Sequence, residues 1–166
     1  MKPKLIAFAL TGLLFVSPAS AKKGEAKFKS VEIKHFTRAE GVEVPPEIMD
    51  AIHSTLGKAL QNSGVFEEIL GENEVVDPSD ADRSVILEGT VSEYGYGSGV
   101  KAALMPGWAG REKLRARIIV RRRSNNETLI DQEIDAKGLE SSRHQGLVTQ
   151  LLAWKIARQI KNKLGR

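Results

Sequence analysis

Two neighbouring segments, Glu112–Arg123 and Glu127–Ala136, alternate apolar and charged residues so regularly that they read as one β-hairpin with a buried face and a wet face. Successive strand side chains point to opposite sides. In the first segment Leu114, Ala116, Ile118 and Val120 therefore share one face, and Lys113, Arg115, Arg117, Arg121 and Arg123 share the other. In the second, Ile130 and Ile134 continue the apolar face, and Asp131, Glu133 and Asp135 continue the charged one. Matching the faces restricts the register. A three-residue loop at Ser124-Asn125-Asn126 sets Arg117 opposite Glu133 and Arg115 opposite Asp135. A two-residue Asn125-Asn126 turn would put Val120 opposite Asp131 and mix core with solvent. The expected loop is therefore odd in length.

Two amphipathic helices flank the strands. Ile48, Ile52, Leu56 and Leu60 recur every four residues after Pro45-Pro46. Glu47 suits the positive helix end, and Gly64 stands where a C-terminal cap belongs. Val148, Leu152, Ile156, Ile160 and Leu164 mark a second helix over about 145–164, with Lys161 and Lys163 at its negative end. Further strands are expected at Ser30–Phe36, where Phe36 breaks the alternation of Val31 and Ile33, and at Arg83–Tyr94. Val65–Leu70 reads as a short strand or extended segment, Thr37–Val44 as a polar connection, and Gly71–Asp82 as an acidic loop. This order predicts an α+β two-layer sandwich: a mostly antiparallel sheet with an N-proximal and a C-terminal helix on one face. The other face is left for solvent or a partner.

The N-terminus carries an export pattern. Lys2 and Lys4 precede an apolar run from Leu5 to Val16, followed by Pro18 and the Ala19-x-Ala21 cleavage pattern. That run is about 12 residues, against the ~20 that a membrane span needs. The expected organisation is a signal peptide at 1–21, a flexible leader at 22–29 and one domain at 30–166. Loss of Lys2 and Lys4 lowers the formal charge from +4 to +2, which is no electrostatic signature for nucleic acid. The chain has no cysteine, which excludes disulfides, thiolate chemistry and a lipid-modified N-terminal cysteine. No second apolar stretch approaches spanning length.

Little in the sequence points to catalysis. Tyr94-Gly95-Tyr96-Gly97-Ser98-Gly99 alternates its glycines and is not followed by a helix, as a dinucleotide fingerprint would require. His35, His53 and His144 lack metal-ligand spacing, and no nucleophile motif is present. No cofactor and no metal are expected. Two segments carry binding alternatives. The arginine stripe of Arg115, Arg117, Arg121 and Arg123 is either an anion-binding face or a solvated face neutralised by the acids of the next strand. The stretch Gly95–Gly110 joins many glycines to Leu104, Met105 and Trp108, with Arg111 just beyond. It is either folded back over the sheet edge or a contact for a protein or membrane surface.

Several runs resemble a family of exported bacterial proteins, the domain of unknown function DUF 4410: Leu60-Gln61-Asn62-Ser63-Gly64-Val65-Phe66, Ile86-Leu87-Glu88-Gly89-Thr90-Val91, Gly107-Trp108-Ala109-Gly110-Arg111 and Ile156-Ala157-Arg158-Gln159-Ile160. The resemblance spans about 30–164 and implies an envelope location, with no established catalytic residues. Many of those relatives are lipoproteins, and this chain departs from them in lacking cysteine. The layout is also similar to the periplasmic strand–helix module at the N-terminus of the Tol-system translocation protein. The expected function is non-enzymatic binding or assembly in the periplasm or cell envelope, through Leu104, Met105, Trp108 and Arg111 and a sheet face. The alternative is peripheral binding to an anionic envelope surface through the arginine stripe with Lys155, Arg158 and Lys161. A periplasmic enzyme is the third reading. The expected partner is an envelope protein or membrane surface, not nucleic acid.

Overall fold

The computed structural model describes residues 28–95, 112–138 and 147–165 of the chain. The expected signal peptide and the loop residues Leu104, Met105, Trp108 and Arg111 lie outside them. Six strands form one mixed sheet: β1 (Ser30–Ile33), β2 (Thr37–Arg38), β3 (Glu68–Leu70), β4 (Ser84–Gly95), β5 (Lys113–Arg122) and β6 (Thr128–Lys137). Their order is β3-β1-β4-β5-β6, with β2 also paired to β4. The long strands β4, β5 and β6 are antiparallel, whereas β1 runs parallel to both β3 and β4. Helices α1 (Pro46–Ser63) and α2 (Leu147–Leu164) pack side by side, α1 touching β3 and α2 lying against β5 and β6. This is the expected α+β sandwich with both helices on one face.

The apolar stripes do what their spacing predicts. Ile52, Leu56 and Leu60 of α1 are buried, as are Val148, Leu152, Ile156, Ile160 and Leu164 of α2. They meet Val85, Leu87 and Val91 of β4, Leu114, Ala116, Ile118 and Val120 of β5, and Ile130 and Ile134 of β6. Each buried Val, Leu or Ile among them contributes roughly 1.5–3 kcal/mol. Pro46 opens α1 with Glu47 in its first turn, and Gly64 closes it in the left-handed conformation (φ 67°).

Four expectations need correction. The packed fold begins at Phe28, inside the expected leader. Phe28 is buried, and the Lys29 backbone bonds to Arg83 O and to the Glu67 and Glu68 N–H groups. Ser30–Phe36 is not one strand. β1 pairs Ser30 with Ser84, but β2 pairs Thr37 with Thr90, so one residue is extruded between them. His35 faces solvent there and Phe36 turns inward, against Gly89, where a Cβ would overlap its ring. The out-of-step Phe36 is thus a bulge residue with a glycine opposite it. The short strand after α1 begins only at Glu68, and the acidic loop holds a 3-10 helix, Pro78–Arg83, capped by the Asp77 carboxylate.

The hairpin register is the fourth case. Arg117 does lie opposite Glu133, and Arg115 opposite Asp135. The loop differs: the Arg122 N–H bonds to Glu127 O, and the Asn126 N–H to Arg122 O, so residues 123–126 form a four-residue turn. Asn126 takes the left-handed conformation (φ 55°). A shift beside Val120, where Leu129 is skipped in the pairing, then restores the register that face matching demands. The constraint on faces holds, and a bulge satisfies it in place of loop length.

Candidate interaction surfaces

Three surfaces follow from this frame. The first is the mouth of the β4–β5 hairpin. The ladder runs unbroken to its last pair, Gly95 opposite Lys113, after an irregularity at Ser92. Lys113 Nζ bonds the Glu93 carboxylate at 2.7 Å, and Tyr94 Oη donates to Glu112 Oε1 at 3.4 Å. Glu112 is buried, and burial pushes its carboxyl above the ordinary Glu value, only partly offset by the Tyr94 hydrogen bond. The Gly138 N–H closes the stem onto Glu112 O at 2.7 Å. Beside the stem is an open recess lined by Arg38, Val42, Val44, Pro45, Glu93 and Tyr94. Leu104, Met105, Trp108 and Arg111 belong to the chain that enters and leaves through this mouth, outside the described residues.

The second surface is the sheet face away from the helices. Every arginine of the expected stripe is engaged by a carboxylate. Arg115 bonds Asp135, Arg117 holds Asp131 through two bonds at 2.6 and 2.7 Å, and Arg121 reaches Glu88 on β4 at 2.8 Å. Arg117 thus pairs with the diagonal Asp131, and not with Glu133 directly opposite; Glu133 accepts from Ser92 Oγ instead. The hydrogen bonds from Arg115 and Arg117 hold Asp135 and Asp131 below the ordinary Asp value. Arg123 crosses to Glu32 on β1, which is buried although it lies on this face. Burial alone would raise the Glu32 pKa. The hydrogen bonds from Lys34 and from the Asn73 N–H, with the Arg123 charge, outweigh it and hold the carboxyl low. The neutralised reading of the stripe is the one the geometry displays, and the hairpin spacing carried that signal. The contributions of Glu32 and Glu88 were not legible, because they come from strands whose pairing the sequence did not specify.

The third surface is the outer side of the helix layer. A groove of about 570 Å³ runs between α1 and α2, lined by Thr55, Lys58, Asn62, Trp154, Arg158 and Lys161 among others. Trp154 is 52% exposed, with the Arg158 guanidinium 5.2 Å from its ring centre. Lys161 Nζ donates to Ser63 O at the end of α1, and Lys155 Nζ to Asp135 O. Sequence reasoning picked out Lys155, Arg158 and Lys161 but missed Trp154. Its signal was present: Trp154 stands one residue outside the apolar stripe, on a helix without an acidic residue.

His35 and His53 stack at 4.7 Å between ring centres. His53 Nε2 lies 3.3 Å from Ile33 O, and His35 3.6 Å from the Glu72 carboxylate. Among the described residues no group of His, Asp or Glu side chains could hold a metal ion, and no helix is long and apolar enough to cross a membrane.

No family model and no curated protein matches the sequence. Solved structures do share the fold. The hypothetical protein CT253 from Chlamydia trachomatis superposes with a TM-score of 0.59 at 12% identity, over 82% of this chain and 98% of that one. The PelC dodecamer from Paraburkholderia phytofirmans gives 0.58 at 16% identity, over 80% and 88%. Lipoprotein GNA1162 from Neisseria meningitidis gives 0.50 at 12% identity, over 81% and 99%. At these identities the likeness is one of fold: a mixed sheet with two helices on one side, shared with bacterial proteins that include a lipoprotein.

Proposed function

We propose that this chain is a non-enzymatic binding or assembly module of the bacterial cell envelope, exported by its N-terminal signal and acting through the segment at the β4–β5 mouth. The observation that carries this reading is the closed stem. Gly95 and Lys113 are already paired neighbours, so a two-residue turn would join β4 to β5. The chain instead inserts a long segment containing Leu104, Met105 and Trp108, with Lys101 and Arg111 as its charges between Gly95 and Glu112. A connection this long, at a point where the fold needs none, is characteristic of binding loops. The resemblance to exported DUF 4410 proteins and the lipoprotein among the fold neighbours support the envelope setting.

The test is a photo-reactive amino acid placed at position 105 of the full-length protein, irradiated in cells. The reading expects adducts of discrete mass that disappear in Trp108→Ala, while thermal unfolding of the purified variant stays unchanged. Absence of adducts together with a lowered unfolding midpoint would place these residues in the protein's own core.

A further inference from the structure

We propose that the outer groove between α1 and α2 docks on an anionic phospholipid surface. This rests on the envelope reading above and names the chemistry met by a second face of the same module.

The argument begins with charge. α2 carries Lys155, Arg158, Lys161 and Lys163 and has no acidic residue along its length. In α1 the acids, Glu47 and Asp50, precede the groove-lining segment that begins at Thr55; beyond that point the helix contributes Lys58. Among the described residues, the groove is therefore lined by three cations and no carboxylate. The sheet face is the opposite case, since there each arginine is matched by an acid. Two basic surfaces that look alike in sequence thus differ physically. On one the arginines are paired with carboxylates, and on the other, among the described residues, the cations have no carboxylate lining the groove beside them.

The second observation is Trp154. Among the described residues only Trp154 and Val75 are large apolar side chains left open to solvent. A half-exposed indole that lines the groove, with the Arg158 guanidinium over its ring, is suited to the headgroup layer, where the ring meets acyl carbon and the cations meet phosphate. Lys58 can lay its stem along the groove while its ammonium group reaches outward. A soluble acidic polymer would use the charges and leave the indole uncovered. A lipid surface uses both, and on that ground it is the favoured partner.

The experiment uses the mature chain with Trp108→Phe, which leaves Trp154 as the remaining tryptophan. Vesicles of phosphatidylcholine, with and without phosphatidylglycerol, are mixed with protein, and both sedimentation and tryptophan emission are read. The proposal expects binding only to the anionic vesicles, a blue shift of Trp154 emission, and weakening as salt screens the surface. Lys58→Gln and Arg158→Gln should each weaken binding about fivefold, the worth of one cation at an anionic surface. Both positions are on the outer side of the helices, so unfolding midpoints should not move. Binding that ignores phosphatidylglycerol, a Trp154 emission unchanged on binding, or binding to soluble polyglutamate and not to vesicles would each overturn it. Those failures would leave the cross-linking at position 105 intact; loss of that cross-linking instead would remove the envelope reading and not the vesicle result.

Discussion

Gly89→Ala is a small change with a large expected effect, because the bulge between β1 and β2 aims the Phe36 ring at the Gly89 Cα. A Cβ there would overlap Cδ2, Cε2 and Cζ of that ring. Gly89 sits mid-strand, opposite Ile118, in a ladder that continues on both sides. The backbone therefore has little room to retreat, and the ring must move. Phe36 is buried against the core, so it has nowhere to go without displacing neighbours. Overpacking of this kind costs about 1–3 kcal/mol, or roughly 2–4 °C of unfolding midpoint per kcal/mol for a domain of this size. In ordinary strand positions Ala is better than Gly by about 0.5–1 kcal/mol, so the sign is diagnostic. Phe36→Ala alone should cost about 3–5 kcal/mol by opening a cavity. In that background the added methyl at position 89 enters vacated space, and Gly89→Ala should become neutral or stabilising. The assay is chemical denaturation of the four members of the cycle. An equal cost of Gly89→Ala with and without the ring would refute the account of the bulge.

The remaining predictions concern the carboxylates. Asp131, Asp135 and Glu32 all have depressed pKa values. They stabilise the fold at neutral pH, and that contribution is lost as pH falls below their unfolded values of about 4 toward the folded ones. Unfolding midpoints measured down that range should drop, and a flat profile would count against the ladder of pairs on the sheet face. Arg123→Met leaves the buried Glu32 with only Lys34 and the Asn73 N–H, and should cost about 2 kcal/mol at neutral pH, shrinking on acidification. Glu112 has the opposite sign. Its raised pKa makes the folded state favour the protonated form, so its penalty grows as pH rises through that value. Glu112→Gln should therefore raise the midpoint at neutral pH and change it little in acid; a loss at neutral pH would contradict the burial argument.

The sequence spoke most clearly where periodicity and burial agree. Ile52, Leu56 and Leu60 announced α1, Gly64 its end, and the alternation of Lys113–Val120 both the hairpin and which residues face each other. Long-range pairing was less legible. Nothing in Ser30–Ile33 says that the strand will lie between β3 and β4 and run parallel to both, and that placement is what buries Glu32 and brings it to Arg123. Phe36 and Gly89 each carried an anomaly, a residue out of step and a glycine in a β-branched strand. Their partnership becomes visible only once β1 and β4 are side by side. The binding surfaces divided in the same way. The strand arginines could be matched with their acids from hairpin spacing, whereas the groove of Trp154, Arg158 and Lys58 depends on how two distant helices meet.

The most direct measurement replaces residues 96–112 with Asn-Gly, joining Gly95 to Lys113 through a two-residue turn. The pair is already formed, and shortening the loop by about three doublings should favour folding by roughly 2 kcal/mol of closure entropy, partly offset by loss of the Tyr94–Glu112 contact. Unfolding midpoint and retention in the envelope fraction are measured side by side on the exported protein. The account predicts a midpoint equal to or above that of the parent, with retention lost. A midpoint lowered by many degrees, with the protein still held in the envelope, would show that the segment belongs to the core and that the contact lies elsewhere.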